Sequence, residues 1–438
     1  MTRATTPQAG SRPTAATLVG EALRGLRVVT PQLDLAFWDG SSIPGSDPVG
    51  TLRFASPDAL RRIVRAPNEL GFARAYVAGE LEVEGDLYAT VKALRDIFYG
   101  AAPSPGRRMR SIPALVSAAR TLGAGRSLTP PPEEARLRGW RHTLGRDRAA
   151  VTHHYDIGND FYRLVLGESM TYSCARYVDL TVDPVVGLAD AQVAKHELIC
   201  RKLGLAERPG MRLLDVGCGW GSLAIHAAVH HGASVVGVTL SREQAALAGQ
   251  RARAAAVQDR VDIRVQDYRR LDGEVFDAIA SVGMSEHVGH RNLDRYYATL
   301  RAALRPGCRL LNHAISAPGG GKIDRNSFVG RYVFPDGELI DVGESVLAME
   351  RAGFEVRDVE SLREHYARTL RAWVARLEAS WDRAEELIGR RRARVWRLYM
   401  AGAAVGFDEG AMSLHQVLGV LPTADGASHM PATRRAWD

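Results

Sequence analysis

A glycine-rich turn in the middle of the chain has the residue types and spacing of a nucleotide-binding loop. The apolar residues 213–216 lead into Gly217, Gly219 and Gly221. Glycine at these positions lets the backbone turn sharply and approach a ligand that any Cβ would repel. Nicotinamide, flavin and nucleoside sites all use such loops, so the loop predicts a cofactor site without naming the cofactor.

The residues after the next two predicted strands distinguish among these cofactors. Nicotinamide-binding folds usually place a carboxylate about 20 residues after the first glycine, where it holds the ribose hydroxyl. Residues 237–241 read GVTLS and contain no acid. Asp267 and Tyr268 follow the third strand, where an acid could meet an adenine amino group. These features favour the nucleoside pocket of S-adenosylmethionine.

Histidine and cysteine spacing does not predict a metal site. Glu286 precedes His287 and His290, which are three residues apart, and this is not the zinc-protease arrangement. His153 and His154 are adjacent, and neighbours on a chain rarely face one ligand. The cysteines are too far apart in sequence to indicate a zinc site or a disulfide framework. They are Cys174, Cys200, Cys218 and Cys308.

The composition predicts a globular protein with a basic surface. The 438 residues carry a formal charge of +7, and only four of the 57 cationic residues are lysine. Guanidinium groups match phosphate in a forked geometry, so anionic lipid and nucleic acid are both admissible partners, although base bias in a genome gives the same composition. The first 23 residues lack the apolar core of a secretory signal, and no run approaches a membrane span. We therefore expect a reducing, cytoplasmic location.

Composition and periodicity divide the chain into four parts. The predicted parts are a flexible or loosely helical leader (1–25), a small α+β domain (26–100), a basic, proline-containing linker (101–150) and a catalytic domain (151–438). In the small domain, the pattern predicts strands at 33–38 and 51–54 and helices at 57–65 and 87–98. The linker could equally be solvated chain or a phosphate-binding segment.

Strands and helices alternate in the catalytic part, which predicts a parallel sheet with helices on both faces. The predicted strands are 212–216, 234–239, 261–265, 276–282 and 309–314, with helices after Gly221 and from Arg242. The glycine loop would then lie at the carboxyl end of the first strand, where ligands bind in such sheets. The aromatic residues 328–334 are predicted to cover this end, and residues 363–420 are predicted to be helical.

Four ordered motifs resemble those of the cyclopropane-fatty-acyl-phospholipid synthases, S-adenosylmethionine-dependent enzymes that include the mycolic acid methyltransferases. The motifs are HYDIGND at 154–160, MTYSC at 170–174, LDVGCGWG at 214–221 and SVGMSEHVG at 281–289. The resemblance runs from about Val151 to Gln416 and continues weakly into the N-terminal part, which resembles the lipid-associated extra domain of the bacterial phospholipid synthases. It implies an α/β, class I S-adenosylmethionine-dependent methyltransferase fold, Rossmann-like, with a smaller N-terminal α+β domain and a C-terminal helical region.

The resemblance implies methyl transfer from S-adenosylmethionine to the cis double bond of an unsaturated acyl chain. The resulting carbocation loses a methyl proton as the cyclopropane ring closes, so the protein must stabilise a cation in a water-free pocket and supply a base. In the family this base is a bound bicarbonate ion. By resemblance its site would consist of Cys174, Glu286, His313, Ile315 and Tyr366, with Cys174 and Ile315 offering backbone groups.

The resemblance also implies a set of cofactor contacts. They are Tyr172 and Ser173 near the methionine or sulfonium end, Asp215, Gly217 and Gly219 in the glycine loop, Thr239 and Gln244 near the ribose and methionine, and Asp267 and Tyr268 at the adenine. Without the resemblance, Cys174 would be a small buried hydrophobe and His313 a core histidine. Thr239 would be a helix cap and Gln244 a polar surface residue.

Two positions depart from the family pattern and leave the product open. Ala403 stands where many relatives carry a cysteine, and Ser285 replaces a commonly aromatic residue beside Glu286. Cyclopropanation is the first hypothesis, and a methylene- or methyl-branched acyl product is its nearest rival. A non-catalytic lipid- or cofactor-binding protein is disfavoured by the retained Glu286, His313 and Tyr366. A nucleic-acid methyltransferase is disfavoured because no Asn-Pro-Pro-Tyr-type base-flipping motif is present.

The first hypothesis sets expectations for partners and location. We expect unsaturated phospholipid at the membrane surface to be the partner, with peripheral association at the inner face of the membrane. Residues 101–150 or the C-terminal arginines are expected to aid binding to anionic vesicles. No nucleic acid and no metal are expected, and a homodimer is suggested by analogy with the resembling synthases.

Overall fold

A computed structural model describes residues 13–26, 32–99, 128–135, 146, 157–271 and 273–437. The chain divides into two compact units, Met1–Pro132 and Glu133–Asp438. Most of the predicted linker at 101–150, and His153 and His154, lie outside the described residues.

The first unit is a four-stranded sheet with helices packed on it. Its strands are β1 (Leu33–Phe37), β2 (Ser42–Ile43), β3 (Gly50–Phe54) and β4 (Leu81–Gly85), in the order β2-β1-β3-β4. Its helices are Ala15–Leu26, Pro57–Arg65, Glu69–Ala78 and Leu87–Tyr99. Alternate residues of β1 are buried, as expected for a strand with one face on a core. The strands and helices predicted for residues 33–98 are confirmed, and β2, Glu69–Ala78 and β4 are additional.

The described part of the predicted leader is helical. The backbone N–H of Ala15 donates to Asp39 Oδ2 at 2.7 Å. Ala15 is buried, and Val19 and Leu23 pack against the core of the first unit. These contacts extend the small α+β unit to the N-terminal side of residue 26, where composition alone had placed its start.

The second unit contains a seven-stranded sheet in the order β12-β13-β9-β8-β5-β6-β7. Its strands are β5 (Arg212–Val216), β6 (Ser234–Thr239), β7 (Val261–Val265), β8 (Phe276–Val282), β9 (Leu304–Ser316), β12 (Glu355–Ser361) and β13 (Ser413–Val420). The strands β9, β8, β5, β6 and β7 are parallel, which confirms the predicted α/β class. The short strands β10 (Gly321–Lys322) and β11 (Glu338–Leu339) form a separate pair.

Helices pack on this sheet, and neighbouring strand residues enter different cores. Leu213 and Leu214 belong to two separate apolar clusters, because successive side chains of a strand point to opposite faces. The helices are Asn159–Leu166, Leu188–Leu203, Ser222–His231, Arg242–Ala254, Ser285–Val288, Leu293–Ala302, Phe328–Tyr332, Val342–Arg351, Arg363–Ala379, Trp381–Ile388 and Arg390–Asp408. Within the described ranges, no helix combines the length and apolar character needed to cross a membrane.

The prediction of helix throughout residues 363–420 is wrong at its C-terminal end. The last helix ends at Asp408, and Gly410 adopts a left-handed backbone with φ of 71°. Residues Ser413–Val420 then form β13, which lies antiparallel between β9 and β12. A short apolar run can be helix or strand by its pattern alone, and here the pairing partners on both sides decide.

Candidate active site

A cleft lies at the carboxyl ends of the parallel strands, where the sequence predicted a ligand site. All of the predicted cofactor contacts line it, namely Tyr172, Ser173, Asp215, Gly217, Gly219, Thr239, Gln244, Asp267 and Tyr268. Val333 and Phe334 also line the cleft, so the aromatic segment predicted to cover the sheet reaches it. The topology thus brings together residues that are spread along the sequence from Met170 to Gly337.

The glycine loop keeps the backbone open toward the cleft. The amides of Gly217 and Cys218 both donate to Val238 O, at 2.9 and 3.1 Å, which fixes the loop against the end of β6. Gly217 has a φ of 76°, and a Cβ there would lie 2.4 Å from Met284 Sδ. A Cβ on Gly219 would meet no protein atom within 4 Å. The space beside Gly219 is therefore available to a ligand that touches the backbone, as a bound nucleoside would.

Thr239 and Gln244 form a buried polar pair at the end of β6. Thr239 Oγ1 lies 2.8 Å from Gln244 Oε1 and donates to it. The helix cap is Ser241, whose Oγ accepts from the Gln244 backbone N–H at 3.2 Å. Because Gln244 is buried, it is not the surface residue that its sequence context alone suggests.

The acid at the predicted adenine position is held by a neighbouring arginine. Both carboxylate oxygens of Asp267 accept from Arg269, at 2.8 and 2.7 Å. Burial acts to raise the pKa of Asp267, but the hydrogen bonds from Arg269 lower it below its ordinary value. The carboxylate is therefore ionised and oriented at the rim of the cleft. The ring of Tyr268 stands edge-on to Tyr296 at 5.1 Å between centroids.

None of the predicted base residues is among the described residues that line the cleft. Glu286 follows the lining residue Met284 by two positions, and its Oε1 accepts from the Ile315 backbone N–H at 2.8 Å. Its Oε2 is buried and has no hydrogen-bond partner in the described part of the chain. Burial raises the pKa of Glu286 to about 7. Ile315 thus meets Glu286 through its backbone N–H, whereas the resemblance implied a backbone contact from Ile315 to the bound ion.

His313 presents a second unpaired polar atom. Its Nδ1 lies 3.2 Å from Gln416 Nε2, on the neighbouring strand β13. An amide nitrogen can only donate, so Nδ1 accepts and the neutral ring carries its proton on Nε2. Burial lowers the pKa of His313 well below its ordinary value, which keeps the ring neutral. His313 Nε2 is a buried donor that has no partner among the described residues.

Cys174 and Tyr366 approach one another through Leu362. Cys174 Sγ is fully buried, 3.1 Å from Ala175 O and 3.7 Å from Leu362 O. The Tyr366 backbone N–H donates to the same Leu362 carbonyl at 3.1 Å. The Tyr366 ring packs against Phe407 with centroids 4.8 Å apart. The charge of Lys195 acts on the pKa of both Cys174 and His313, which relates the two halves of the predicted base site.

Aromatic rings form a continuous cluster from the cleft into the C-terminal helices. Tyr172 lines the cleft, 5.3 Å from the Trp373 ring and 5.8 Å from the Trp396 ring. Trp220 also lines it and packs 4.6 Å from Tyr162. Aromatic ring faces carry negative electrostatic potential, so rings that line a cleft can stabilise a nearby positive charge.

Comparison with known proteins agrees with the geometry. A family model described as mycolic acid cyclopropane synthetase matches residues 142–417. The chain belongs to this family. It is 38% identical over 419 residues to probable fatty acid methyltransferase Rv3720 of Mycobacterium tuberculosis, covering 92% of this chain and 94% of that protein. It is 33% identical over 381 residues to cyclopropane-fatty-acyl-phospholipid synthase of Escherichia coli, covering 86% and 90%.

A solved member of the family has the same catalytic fold. The structure of mycolic acid cyclopropane synthase CmaA1 complexed with SAH and CTAB matches with a TM-score of 0.57 and 32% identity, covering 62% of this chain and 97% of that chain. The predicted class I methyltransferase fold is thereby confirmed. This family member is an S-adenosylmethionine-dependent methyltransferase.

Sequence reasoning missed one lysine in this family member's cleft. Lys195 is only 1% exposed, and its Nζ donates to Ser173 Oγ at 2.9 Å. Asp215 is also buried, and its charge and that of Lys195 attract. Burial lowers the pKa of Lys195 and raises that of Asp215, and their attraction opposes both shifts. Lys195 precedes buried Ile199 by four positions and shares its helix face, but only the packing of this helix shows that the face is buried.

We expect Lys195→Met to weaken S-adenosylmethionine binding by about tenfold, since Ser173 loses its donor and Asp215 its buried counter-charge. Isothermal titration calorimetry measures this affinity. Lys92→Met is the control, because Lys92 is exposed on a helix of the first unit. Unchanged affinity in Lys195→Met, with a native circular dichroism spectrum, contradicts the role.

One of the two departures from the family pattern is buried at the base site. Ser285 is 2% exposed, and its Oγ accepts from Asn312 Nδ2 at 3.5 Å. A hydroxyl at this position replaces an aromatic face with a small polar group next to Glu286. Ala403 lies on the helix Arg390–Asp408 and carries no thiol.

Proposed function

We propose that this methyltransferase acts on the cis double bond of unsaturated acyl chains in phospholipids and forms a cyclopropane. The observation that carries the proposal is the pair of unpaired buried atoms, Glu286 Oε2 and His313 Nε2, beside a cleft with aromatic walls. When a methyl group is transferred to an amine or a hydroxyl, the methylated nitrogen or oxygen readily gives up its proton to water. Methylation of an alkene carbon, in contrast, forms a carbocation, which needs both stabilisation by aromatic rings and a base to remove a proton.

We further propose that bicarbonate occupies the space between Glu286 and His313. One unpaired atom is a donor, His313 Nε2, and the other is an acceptor, Glu286 Oε2. Bicarbonate offers the complement, because its anionic oxygen accepts a hydrogen bond and its hydroxyl donates one. When bound, bicarbonate supplies a small base. Without a ligand, both atoms would be buried without hydrogen bonds, which destabilises the folded protein.

The chain's own residues then have separable tasks. Tyr172 and Trp220 present ring faces along the cleft, and each such face stabilises a nearby cation by about 0.5–2 kcal/mol. Ile315 N–H fixes one oxygen of Glu286, so that the other oxygen keeps its orientation. Phe334 shields the cleft, where water would capture a carbocation.

A branched acyl product is the second candidate, and two observations favour it. The relative named as a fatty acid methyltransferase is 38% identical, whereas the cyclopropane synthase is 33% identical. Ser285 also changes the surroundings of the base residue Glu286. If a hydride first shifts from the methylated carbon to the neighbouring cationic carbon, loss of a methyl proton gives a methylene group instead of a ring, and a saturated methyl branch then requires a separate hydride donor.

The products of a labelled reaction distinguish these candidates. The protein is incubated with methyl-labelled S-adenosylmethionine and vesicles of monounsaturated phospholipid, and the acyl chains are separated by gas chromatography and identified by mass spectrometry. We expect labelled cyclopropane chains, and none with saturated phospholipid vesicles. A labelled methylene chain selects the second candidate. Label in neither chain type, with S-adenosylmethionine bound, overturns the proposal.

We propose that the protein binds the membrane surface peripherally, through arginines at the start of the helix Arg390–Asp408. Arg390, Arg391 and Arg392 are exposed at its first turn. Positive charge at a helix N-terminus is opposed by the helix dipole, so an anionic partner outside the chain would stabilise it. Each arginine near an anionic bilayer contributes up to about 1 kcal/mol.

Changing these three arginines to glutamine is expected to weaken binding to phosphatidylglycerol vesicles by about tenfold and to reduce its dependence on salt. Vesicle co-sedimentation at several salt concentrations measures both effects. The control changes Arg242, Arg253 and Arg260, which are also exposed. Equal losses in the two triple variants indicate net charge alone and contradict this surface.

A further inference from the structure

A cluster of nitrogen, sulfur and oxygen ligands lies between the helices Leu188–Leu203 and Ser222–His231. Cys200 Sγ and one ring nitrogen each of His226 and His231 lie within 4.8 Å of one another. Thiolate and imidazole are the ligands that Zn²⁺ and related divalent ions prefer in proteins. No function of the cleft requires this cluster.

A glutamate completes the cluster. Glu197 Oε2 lies 3.3 Å from His226 Nε2 and 2.9 Å from His231 Nε2. Its other oxygen, Oε1, accepts from Arg201 Nε at 2.8 Å. A carboxylate held in this way by a neighbouring guanidinium has the orientation that metal-binding carboxylates usually need.

The cluster is largely buried, and Glu197, at 30%, is its most exposed member. Cys200 is fully buried and forms no disulfide, and His226 is 8% exposed. Glu197 and Cys200 are three residues apart and therefore share one face of their helix. Ligand atoms around a tetrahedral Zn²⁺ are roughly 3.5 Å apart, so a small inward movement of the side chains closes the present arrangement on an ion.

We propose that Cys200, His226, His231 and Glu197 bind one Zn²⁺ ion. The thiolate and the carboxylate balance the charge of the ion, and the proton of the Cys200 thiol passes to the buffer. Each imidazole stays neutral, binding the ion through one ring nitrogen and carrying its proton on the other, so only the thiol proton is released. The ligands come in two pairs, separated by three and by five residues, which is not a spacing that sequence patterns associate with zinc.

The site joins two helices that also border the cleft. The ring of His226 packs against His196 at 5.6 Å between centroids, and His196 lines the cleft. Lys195 and Ser222 line the cleft from the same two helices. Four protein ligands leave no open position on the ion, so its role is to fix these helices rather than to take part in methyl transfer.

The full-length protein, purified without a histidine tag, tests this proposal. It is stripped of metal with chelator, reloaded with Zn²⁺ or Co²⁺ and freed of excess ion. We expect one Zn²⁺ per chain by elemental analysis, with a higher thermal midpoint than the metal-free protein. Co²⁺ is expected to give tetrahedral ligand-field bands and a thiolate charge-transfer band. A chain that retains no stoichiometric Zn²⁺ and shows no such Co²⁺ spectrum overturns the site.

Matched variants test the ligand assignment. Cys200→Ser is expected to abolish the charge-transfer band, whereas Cys308→Ser keeps it, because Cys308 is a buried cysteine outside the cluster. His231→Gln is expected to weaken Zn²⁺ binding at least tenfold, and His230→Gln to leave it unchanged. A charge-transfer band that survives in folded Cys200→Ser, or the reverse order of the two histidine variants, overturns the assignment. These readouts involve no methyl transfer, so their failure leaves the proposed reaction standing.

Discussion

Replacing Glu286 with glutamine is expected to lower turnover by about 100- to 10,000-fold, the range that general-base catalysis contributes, because the proposed bicarbonate base loses the carboxylate that orients it. The amide keeps the size of the side chain, and its oxygen can still accept from Ile315 N–H. The affinity for S-adenosylmethionine should remain nearly unchanged, because Glu286 does not line the cleft. Labelled methyl transfer to phospholipid measures turnover, and calorimetry measures cofactor affinity.

The pH dependence of activity gives a second readout of the same residue. Burial raises the pKa of Glu286 to about 7, so the carboxylate is half protonated near neutral pH. Glu286 accepts the hydroxyl hydrogen of the proposed bicarbonate only in its ionised form, and we therefore expect turnover to fall as the pH drops through about 7. The residual activity of Glu286→Gln should lack this step. Activity that is equal at pH 6 and pH 8 in the unmodified protein contradicts the role of Glu286.

The same pKa shift has a consequence for stability of known sign. Because the folded-state pKa of Glu286 lies above the ordinary glutamate value of 4.5, the folded protein binds this proton more tightly than the unfolded chain. Its contribution to the free energy of unfolding is present below pH 4.5 and is lost as the pH rises through about 7. Glu286→Gln removes this loss, so it should not be less stable than the unmodified protein at pH 8.

Glu344→Gln is a suitable control for the turnover measurement. Glu344 is 46% exposed and lies 3.4 Å from His290 Nε2, outside the cleft lining. We expect it to retain the activity of the unmodified protein. Full activity in Glu286→Gln would remove the base site from the proposed function, whatever the control shows.

The parallel strands could be predicted because their signals are local. β5, β6, β7 and β8 have the predicted bounds, since β5, β6 and β8 are largely apolar runs and β7 alternates apolar with charged residues. β13 could not be assigned in this way, because its pairing with β9 and β12 is a tertiary property. The resemblance extended prediction to the cleft, where every predicted cofactor contact lies.

Burial of polar groups was the main feature that sequence patterns did not predict. Lys195 has a charged side chain that is usually exposed, and only the packing around its helix shows otherwise. Cys200 and His231 lie on different helices, so their proximity depends on how the helices pack. Sequence thus predicts elements and motifs, whereas chemistry that depends on desolvation requires the assembled structure.

Replacing Gly219 with alanine is expected to weaken S-adenosylmethionine binding by about 100-fold, since an extra methyl group in a packed space costs roughly 1–3 kcal/mol beyond the strain in the backbone. In the protein alone, the new Cβ meets no atom within 4 Å. Gly219 lines the cleft, so the open space beside it is the space that the cofactor requires. Any steric cost beyond the strain therefore arises only when the ligand binds.

Gly210→Ala separates this effect from backbone strain. Gly210 has a φ of 78° and Gly219 a φ of 53°, so alanine is strained at both positions by about 1–2 kcal/mol. A Cβ at Gly210 also meets no atom within 4 Å, and Gly210 does not line the cleft. We expect similar decreases in thermal midpoint for the two variants and a loss of cofactor affinity for Gly219→Ala alone. Equal affinities would mean that the cofactor does not approach the backbone at Gly219, and the glycine loop would then serve the turn rather than the ligand.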